Sequence, residues 1–148
     1  MLIPDELSFG TTPRVRDVCL CLHVQRAARA VARRFDEALR PLDLTNQQFS
    51  LLMALNRQAA PKMGSVAELL AMDRTTLTAA LKPLERRGLV RVTVDEADRR
   101  GRLLTLTPSG RTLLAKALPL WKRAQAATER LITGVSPDRL RAELRALS

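Results

Sequence analysis

The chain has 148 residues, a length that fits one domain. With 46% hydrophobic and 27% charged residues, its composition is typical of a folding protein and excludes a disordered segment. Lysine and arginine outnumber aspartate and glutamate by 25 to 15, and the formal net charge of +10 makes nucleic acid the first partner to consider. Aromatic residues make up only 3%, which disfavours a single-strand binder built on stacked aromatic side chains.

The distribution of apolar and basic residues argues against a membrane partner. No apolar run approaches the ~20 residues of a spanning helix, and the basic residues are spread along the chain instead of lying on one helix face. The first ten residues lack the basic and apolar regions of a signal peptide. Cys19 and Cys21 lie two positions apart, so they do not form the framework of a secreted disulfide-rich domain. We therefore expect a cytoplasmic protein.

The first predicted element is one long amphipathic helix from Val15 to Leu42. Its apolar residues recur every three or four positions, the spacing of one helical face: Cys21, Val24, Ala28, Val31, Phe35 and Leu39. Thr45 and Gln48 have the spacing of a capping box that opens a second helix, from about Asn46 to Arg57. The stretch Ser65–Glu68 repeats that pattern and predicts the start of a short third helix.

A helix-turn-helix is predicted next. Asp73 is well placed to cap a helix from Arg74 to Arg87, and Gly88 is well placed to end it. Leucines occupy one face of this helix, at Leu77, Leu81 and Leu84, and leave its polar residues on the other face. Because Pro83 removes one backbone donor, we expect a local bend or a loosened last turn.

A charged hairpin and two further helices complete the predicted elements. The stretches Leu89–Val94 and Leu103–Thr107 predict two strands, with Asp95–Arg102 as a long charged tip. Threonine before Pro108 and serine before Pro137 are start signals for the two final helices. The first of these continues to about residue 133, with a kink expected at its internal proline, residue 119.

In three stretches the sequence resembles the MarR family of bacterial transcriptional regulators. These stretches are LTNQQFSLL (44–52), VAELLAMDRTTLTAALKPLERRGLV (66–90) and DRRGRLLTLTPSGR (98–111). The spacing of Asp98 and Arg100 before Leu106 and Thr107 matches the wing signature of that family. The resemblance implies a mainly α fold with a small β-hairpin, in which a winged helix-turn-helix core is flanked by N- and C-terminal dimerisation helices.

The resemblance also implies how the chain is divided. We expect a single MarR-type domain over residues 1–148, with dimerisation helices at 14–42 and 108–148, a DNA-binding lobe at 45–107 and a wing at 89–107. Family members are homodimers whose first and last helices interleave. The apolar stripe of the first helix and the leucine-rich end after Pro137 would be hard to bury within so small a core, which independently favours a dimer.

Eight residues are candidates for DNA contact. On the predicted recognition helix, Arg74, Thr75, Thr76 and Thr78 are expected near base edges in the major groove, and Lys82 is expected nearer to phosphate. By the resemblance, Arg99 and Arg100 reach the minor groove, and Asp98 holds the wing in shape by pairing with a neighbouring arginine. The alternative for Asp98 is an ordinary turn residue. Residues 74–102 carry eight basic and four acidic side chains, so this region is net positive.

These features favour a sequence-specific regulator that binds double-stranded DNA. We expect a homodimeric repressor that binds a pseudo-palindromic operator and is released by a small aromatic or phenolic effector, with no cofactor and no metal. An enzyme finds little support, because the chain lacks a glycine-rich phosphate loop and a nucleophile elbow and has one histidine. A sequence-blind architectural DNA-binding protein is the alternative that charge alone would explain.

An effector pocket has candidate lining residues. Phe35, Phe49, Met53 and Trp121 could line it, although residues at such spacings are more often ordinary core.

A redox switch at Cys21, with Cys19 beside it, is an alternative regulatory device. One branch of the MarR family senses hydroperoxides through a cysteine near the start of the first helix, and Cys21 lies at that place. That branch surrounds its cysteine with tyrosines, whereas this chain has Gln25, Phe35 and Asn46 there. On one continuous helix the two thiols point to nearly opposite sides, and Cys21 falls on the apolar stripe, so we expect no peroxide response. Cys19 and His23 share a helix face, but two ligands are too few for a metal site.

Overall fold

The structure is a computed structural model that describes residues 5–148; residues 1–4 of the predicted domain lie outside the described part. It consists mainly of helices with one antiparallel hairpin, so the predicted fold class is confirmed. In chain order its elements are α1 (Thr11–Val18), α2 (Leu20–Leu39), a 3₁₀ turn (Arg40–Leu42), α3 (Asn46–Ala54), α4 (Met63–Leu69), α5 (Arg74–Arg86), β1 (Val90–Asp95), β2 (Asp98–Leu106), α6 (Pro108–Glu129) and α7 (Pro137–Ala146). Over the described residues, no helix is both long and apolar enough to span a bilayer.

The first helix is broken, and the prediction of one continuous helix over Val15–Leu42 is wrong. Cys19 has an extended backbone, with φ −68° and ψ 103°, and it separates α1 from α2. Its sulfur accepts a hydrogen bond from the backbone N–H of Leu22 at 3.4 Å, so the thiol caps the new helix. At the other end α2 passes into the 3₁₀ turn, which stops at Asp43 in the left-handed conformation.

The two predicted capping boxes have different outcomes. At α3 the box is present, because the Thr45 hydroxyl accepts from the Gln48 N–H at 3.1 Å and the Gln48 amide oxygen accepts from the Thr45 N–H at 3.0 Å. At α4 the box is absent. That helix begins at Met63, two residues before Ser65, and the Ser65 hydroxyl donates to the carbonyl of Lys62 at 2.8 Å.

The core lies where α2, α3, α4, α5, the hairpin and α6 meet. Its largest fully buried side chains are almost all leucines: Leu39, Leu51, Leu52, Leu55, Leu77, Leu81, Leu84, Leu104 and Val66. The leucine face predicted for α5 is therefore confirmed. It fixes the orientation of this helix, because the buried leucines leave its polar residues toward solvent.

The hairpin has a shorter tip than the sequence predicted. Strand β1 pairs with β2 from Val90 opposite Leu106 to Asp95 opposite Asp98, with an irregularity after Val94. Residues 96 and 97 alone form the turn, so the predicted eight-residue tip is wrong. At its base the hairpin is joined to the segment before α4 by a hydrogen bond from the Leu104 N–H to the Pro61 carbonyl at 3.0 Å.

The arms leave apolar surface uncovered within one chain. On the predicted stripe of α2 only Phe35 and Leu39 are buried. Large apolar side chains remain exposed on α1 and α2, on the segment between α6 and α7, and on α7 and the residue after it: Val15, Val18, Leu20, Val31, Leu131, Val135, Leu144 and Leu147. Such a surface is typical of a partner interface, so a homodimer stays a prediction that this fold accommodates.

Candidate nucleic-acid interface

Asp73 caps the N-terminus of α5, as predicted. Its carboxylate accepts from the Thr76 N–H at 2.7 Å and from the Thr76 hydroxyl at 2.9 Å. The hydrogen bond from the Thr76 backbone, followed by that from its side chain, holds the pKa of Asp73 below its ordinary value. The start of α5 is therefore fixed before any ligand arrives.

The threonines proposed for base contact differ in what they can offer. The Thr76 hydroxyl gives its proton to Asp73, and the Thr78 hydroxyl gives its proton to the carbonyl of Arg74 at 2.7 Å. These two hydroxyls can therefore only accept hydrogen bonds from DNA, for example from the amino group of adenine or cytosine. Thr75 is exposed and makes no such bond within the described residues. It can donate or accept.

A groove of about 360 Å³ separates α5 from the wing. It brings together four basic side chains from the two elements: Arg74, Lys82, Arg100 and Arg102. Glu85 is the acidic residue among those lining it. The sequence predicts Arg74, Lys82 and Arg100 at the interface but not Arg102. Arg102 was missed because the predicted tip of the hairpin includes it, whereas in the structure it lies in the paired strand β2. The arrangement is a positively charged cleft beside a projecting helix, which suits a phosphate backbone.

At the wing tip, the structure corrects the role expected for Asp98. Its carboxylate accepts from the backbone N–H of Arg100 at 3.2 Å, and within the described chain it forms no ion pair with an arginine side chain. Asp98 thus shapes the turn through the backbone. Arg99 and Arg100 are exposed, so both guanidinium groups can reach a ligand.

Asp95 is a structural residue of the wing that the sequence analysis missed. Its side chain is only 8% exposed, it accepts from the Ala97 N–H at 3.0 Å, and it lies 3.7 Å from the Lys62 ammonium group. This ion pair joins the end of β1 to the segment that precedes α4. No sequence signal distinguished Asp95 from its acidic neighbours, because its burial depends on the irregular register of the hairpin.

The aromatic candidates form one cluster, but they do not all line one cavity. Phe49 and Trp121 stack with ring centroids 5.9 Å apart, and Phe35 lies 6.4 Å from Trp121. These three side chains line a cavity of about 260 Å³ between α2, α3 and α6, together with the polar Asn46. Met53 instead lines a second cavity of about 410 Å³, which shares Phe49 and Trp121 with the first.

The cysteines are placed differently from the expectation. Cys19 lies outside both helices, so the argument that two thiols on one continuous helix point apart does not apply. Cys21 is exposed within the chain, and its sulfur accepts from the Gln25 side-chain amide at 3.2 Å. Gln25, which stands where the hydroperoxide-sensing branch has a tyrosine, thus supplies a polar partner for the Cys21 sulfur. His23 does not face Cys19 as a second ligand; its Nδ1 lies 2.8 Å from the Cys19 carbonyl oxygen.

Comparison with known proteins identifies relatives of this architecture. The model of the MarR family matches residues 42–101, which begin at the last residue of the 3₁₀ turn and include α3 to α5, β1 and the first four residues of β2. The transcriptional activatory protein BadR of Rhodopseudomonas palustris is 44% identical over 71 residues, which are 46% of this chain and 41% of BadR. The organic hydroperoxide resistance transcriptional regulator of Bacillus subtilis is 30% identical over 101 residues, covering 68% of this chain and 69% of that protein.

A solved structure extends the similarity to most of the chain. The transcriptional regulator MosR of M. tuberculosis, in complex with DNA, superimposes with a TM-score of 0.79 at 38% identity and covers 87% of this chain and 92% of that one. The matched segments span about half the length of several curated relatives.

Proposed function

This chain belongs to the MarR family of transcriptional regulators, and we propose that it acts as a homodimeric repressor of an operator with two-fold symmetry. The observation that carries the proposal is the basic groove between α5 and the wing. A helix that exposes arginine and threonine, beside a charged hairpin, fits a major groove and the neighbouring minor groove of one DNA face.

Each candidate residue has a role in this proposal. Arg74 and Thr75 contact base edges, Thr76 and Thr78 accept hydrogen bonds, and Lys82 contacts phosphate. On the wing, Arg99 and Arg100 enter the minor groove, where a narrow A·T tract attracts guanidinium groups. Asp98 contributes by holding the tip turn.

The arms supply the dimer interface. We assign residues 14–42 and 108–148 to dimerisation and residues 45–107 to the DNA-binding lobe. Exposed apolar residues on both arms support this division, because a water-exposed stripe of leucine and valine is stabilised when a second copy covers it. Removing residues 137–148 should then weaken dimerisation and DNA binding together, as measured by sedimentation and by a binding titration. An intact dimer after this truncation would contradict the assignment of α7.

The cavity between α2, α3 and α6 is the proposed effector site. Phe35, Phe49 and Trp121 provide flat apolar walls, and Asn46 adds a polar group, a combination that suits a small aromatic or phenolic ligand. The cavity lies between an arm and the DNA-binding lobe. A ligand there can favour one relative arrangement of the two and so change the affinity for DNA.

A redox-sensing regulator of the same fold is the second candidate. Exposure of Cys21 and the amide donor from Gln25 favour it. An organic hydroperoxide would oxidise the Cys21 thiol to a sulfenic acid and leave as the alcohol. Attack of the Cys19 thiol on that sulfenic acid would then break the S–O bond, form a disulfide and release water.

Competition with random DNA tests the proposal against the architectural alternative. Complexes of the protein with captured genomic fragments are titrated with random-sequence duplex, from an equal mass up to a large excess. A regulator keeps its captured fragment, because specific sites are bound typically ~10³-fold or more tighter than random DNA. Loss of the complex to an equal mass of random duplex would contradict sequence-specific function.

A further inference from the structure

The C-terminal end of α5 is hydrogen-bonded to the N-terminal arm through one side chain. Arg87 caps this end of the helix, and its guanidinium donates to the carbonyl of Asp43 at 2.6 Å and to the carbonyl of Leu42 at 3.3 Å. Leu42 is the last residue of the 3₁₀ turn that follows α2, and Asp43 is the residue directly after that turn. The two bonds close a contact between residues 44 and 45 positions apart in sequence.

The surroundings of Arg87 make this link specific. Within the described residues, these are the hydrogen bonds that join α5 to the arm. The acceptor Asp43 has a left-handed backbone, with φ 52° and ψ 44°, which fixes the direction of its carbonyl. Across an open groove, Pro83 and Arg87 face Arg40 and Asp43, so little else fills the space between the two elements there.

A planar guanidinium suits this task better than an ammonium group. Its donors form a rigid fork that satisfies two acceptors in a fixed orientation, whereas lysine is a point charge on a flexible stem. The bonds also satisfy two carbonyls at the end of a helical segment, which accept no other hydrogen bond within the part of the chain that the structure describes.

We propose that Arg87 is a positioning residue that fixes the recognition helix to the dimerisation arm and thereby sets the spacing of half-sites that the dimer accepts. Arg87 does not contact DNA in this role, although its charge had been counted with the basic residues of the DNA-binding region. The proposal rests on the proposed function, because spacing has meaning only for a dimer on a two-fold operator. If the arm holds each recognition helix firmly, the two recognition helices of the dimer lie at one fixed distance and bind half-sites at one spacing. If the arm holds them loosely, the dimer binds half-sites at several spacings.

The test compares two operators and four variants. The wild-type protein selects a duplex from a random-sequence library, and a second duplex carries one extra base pair between the half-sites, which rotates them by about a tenth of a turn. Arg87→Lys keeps the positive charge and loses the planar pair of donors. Arg87→Met keeps most of the aliphatic side chain and loses both the charge and the donors. Arg86→Lys and Arg86→Met are the matched controls, because Arg86 is exposed on the same turn and its guanidinium makes no hydrogen bond within the described residues.

The readout is the ratio of the two affinities for each variant, together with the salt dependence of binding. The ratio cancels any fraction of misfolded protein, so partial instability of a variant does not obscure the result. We expect wild type and both Arg86 variants to prefer the selected spacing. In both Arg87 variants the ratio of the two affinities should fall roughly tenfold, which corresponds to the loss of one charge-assisted hydrogen bond. The salt slope should stay that of wild type for Arg87→Lys.

Three outcomes would overturn the proposal. An Arg87→Lys variant that matches wild type in spacing preference would show that the fork is not needed. If Arg87→Met lowers the slope of log K against log salt concentration by about one and keeps the spacing preference, Arg87 contacts a phosphate instead. If the wild-type protein itself shows no spacing preference, the two-fold operator fails and the positioning role fails with it, which separates this result from the other two.

Discussion

Gly110 allows α6 to start directly against the base of the wing, and replacing it should destabilise the fold. An added Cβ at Gly110 would lie 2.2 Å from the carbonyl oxygen of Leu89 and 2.7 Å from a methyl group of Leu106. That carbonyl also accepts from the Thr107 N–H at 3.1 Å. Neither the carbonyl nor α6 can move away without stretching this bond.

The expected size of the effect follows from these contacts. Overpacking of a filled site costs about 1–3 kcal/mol, and weakening one hydrogen bond adds about 1 kcal/mol. The clash with a backbone carbonyl puts the overpacking cost at the upper end of its range, and alanine's better helix propensity offsets up to about 1 kcal/mol. We therefore expect Gly110→Ala to lower the free energy of unfolding by about 3 kcal/mol. For a chain of this length, that corresponds to a melting temperature about 10 °C lower.

Gly64→Ala is the matched control, because an added Cβ at this position in α4 meets nothing within 4 Å. Alanine is favoured over glycine in a helix by up to about 1 kcal/mol, so this variant should melt at or slightly above the wild-type temperature. Thermal unfolding followed by circular dichroism, at one protein concentration, measures both. A Gly110→Ala protein that melts within about 2 °C of wild type would refute the close-contact reasoning.

Four further predictions concern the interface and the thiols. Arg100→Ala should weaken operator binding by about 1–3 kcal/mol and lower the salt slope by about one, as measured by anisotropy titrations at several salt concentrations; an unchanged slope would remove Arg100 from the DNA contacts. Asp95→Ala should weaken binding more than Asp98→Ala does, because Asp95 is buried and bonded to both Ala97 and Lys62; equal losses in the same titrations would count against that ion pair. Asp73→Ala should lower the melting temperature at pH 7. The difference in melting temperature from wild type should shrink as the pH falls below 3.8 and through the lowered pKa of Asp73, since a protonated Asp73 no longer caps the helix. A difference that does not depend on pH would contradict the capping role. Under the effector proposal, organic hydroperoxide leaves the operator complex intact in a gel-shift assay, whereas release that disappears in Cys21→Ser would establish the redox candidate.

Local sequence signals predicted the elements that local interactions specify. The Thr45 capping box, the Asp73 cap and the leucine face of α5 were all readable, because each depends on residues within one or two turns of a helix. The glycine that ends α5 was readable for the same reason, and Gly88 has the expected positive φ of 70°.

The features that escaped prediction depend on distant contacts. Burial of Asp95 requires the irregular register of the hairpin and a lysine from another segment. The bonds from Arg87 join residues more than forty positions apart, and the need for glycine at position 110 arises from a carbonyl of another strand. The break at Cys19 was hidden because apolar periodicity continues across a single extended residue.

In the proposed function, two copies of this chain bind the two halves of a symmetric DNA site through α5 and the wing. Hydroxyl-radical footprinting on a captured genomic fragment tests this binding mode, because protection is read at each nucleotide of both strands. We expect two equivalent protected half-sites, related by a dyad and centred about one helical turn, ~10 bp, apart. Protection of a single asymmetric site, or uniform protection along the fragment, would contradict it.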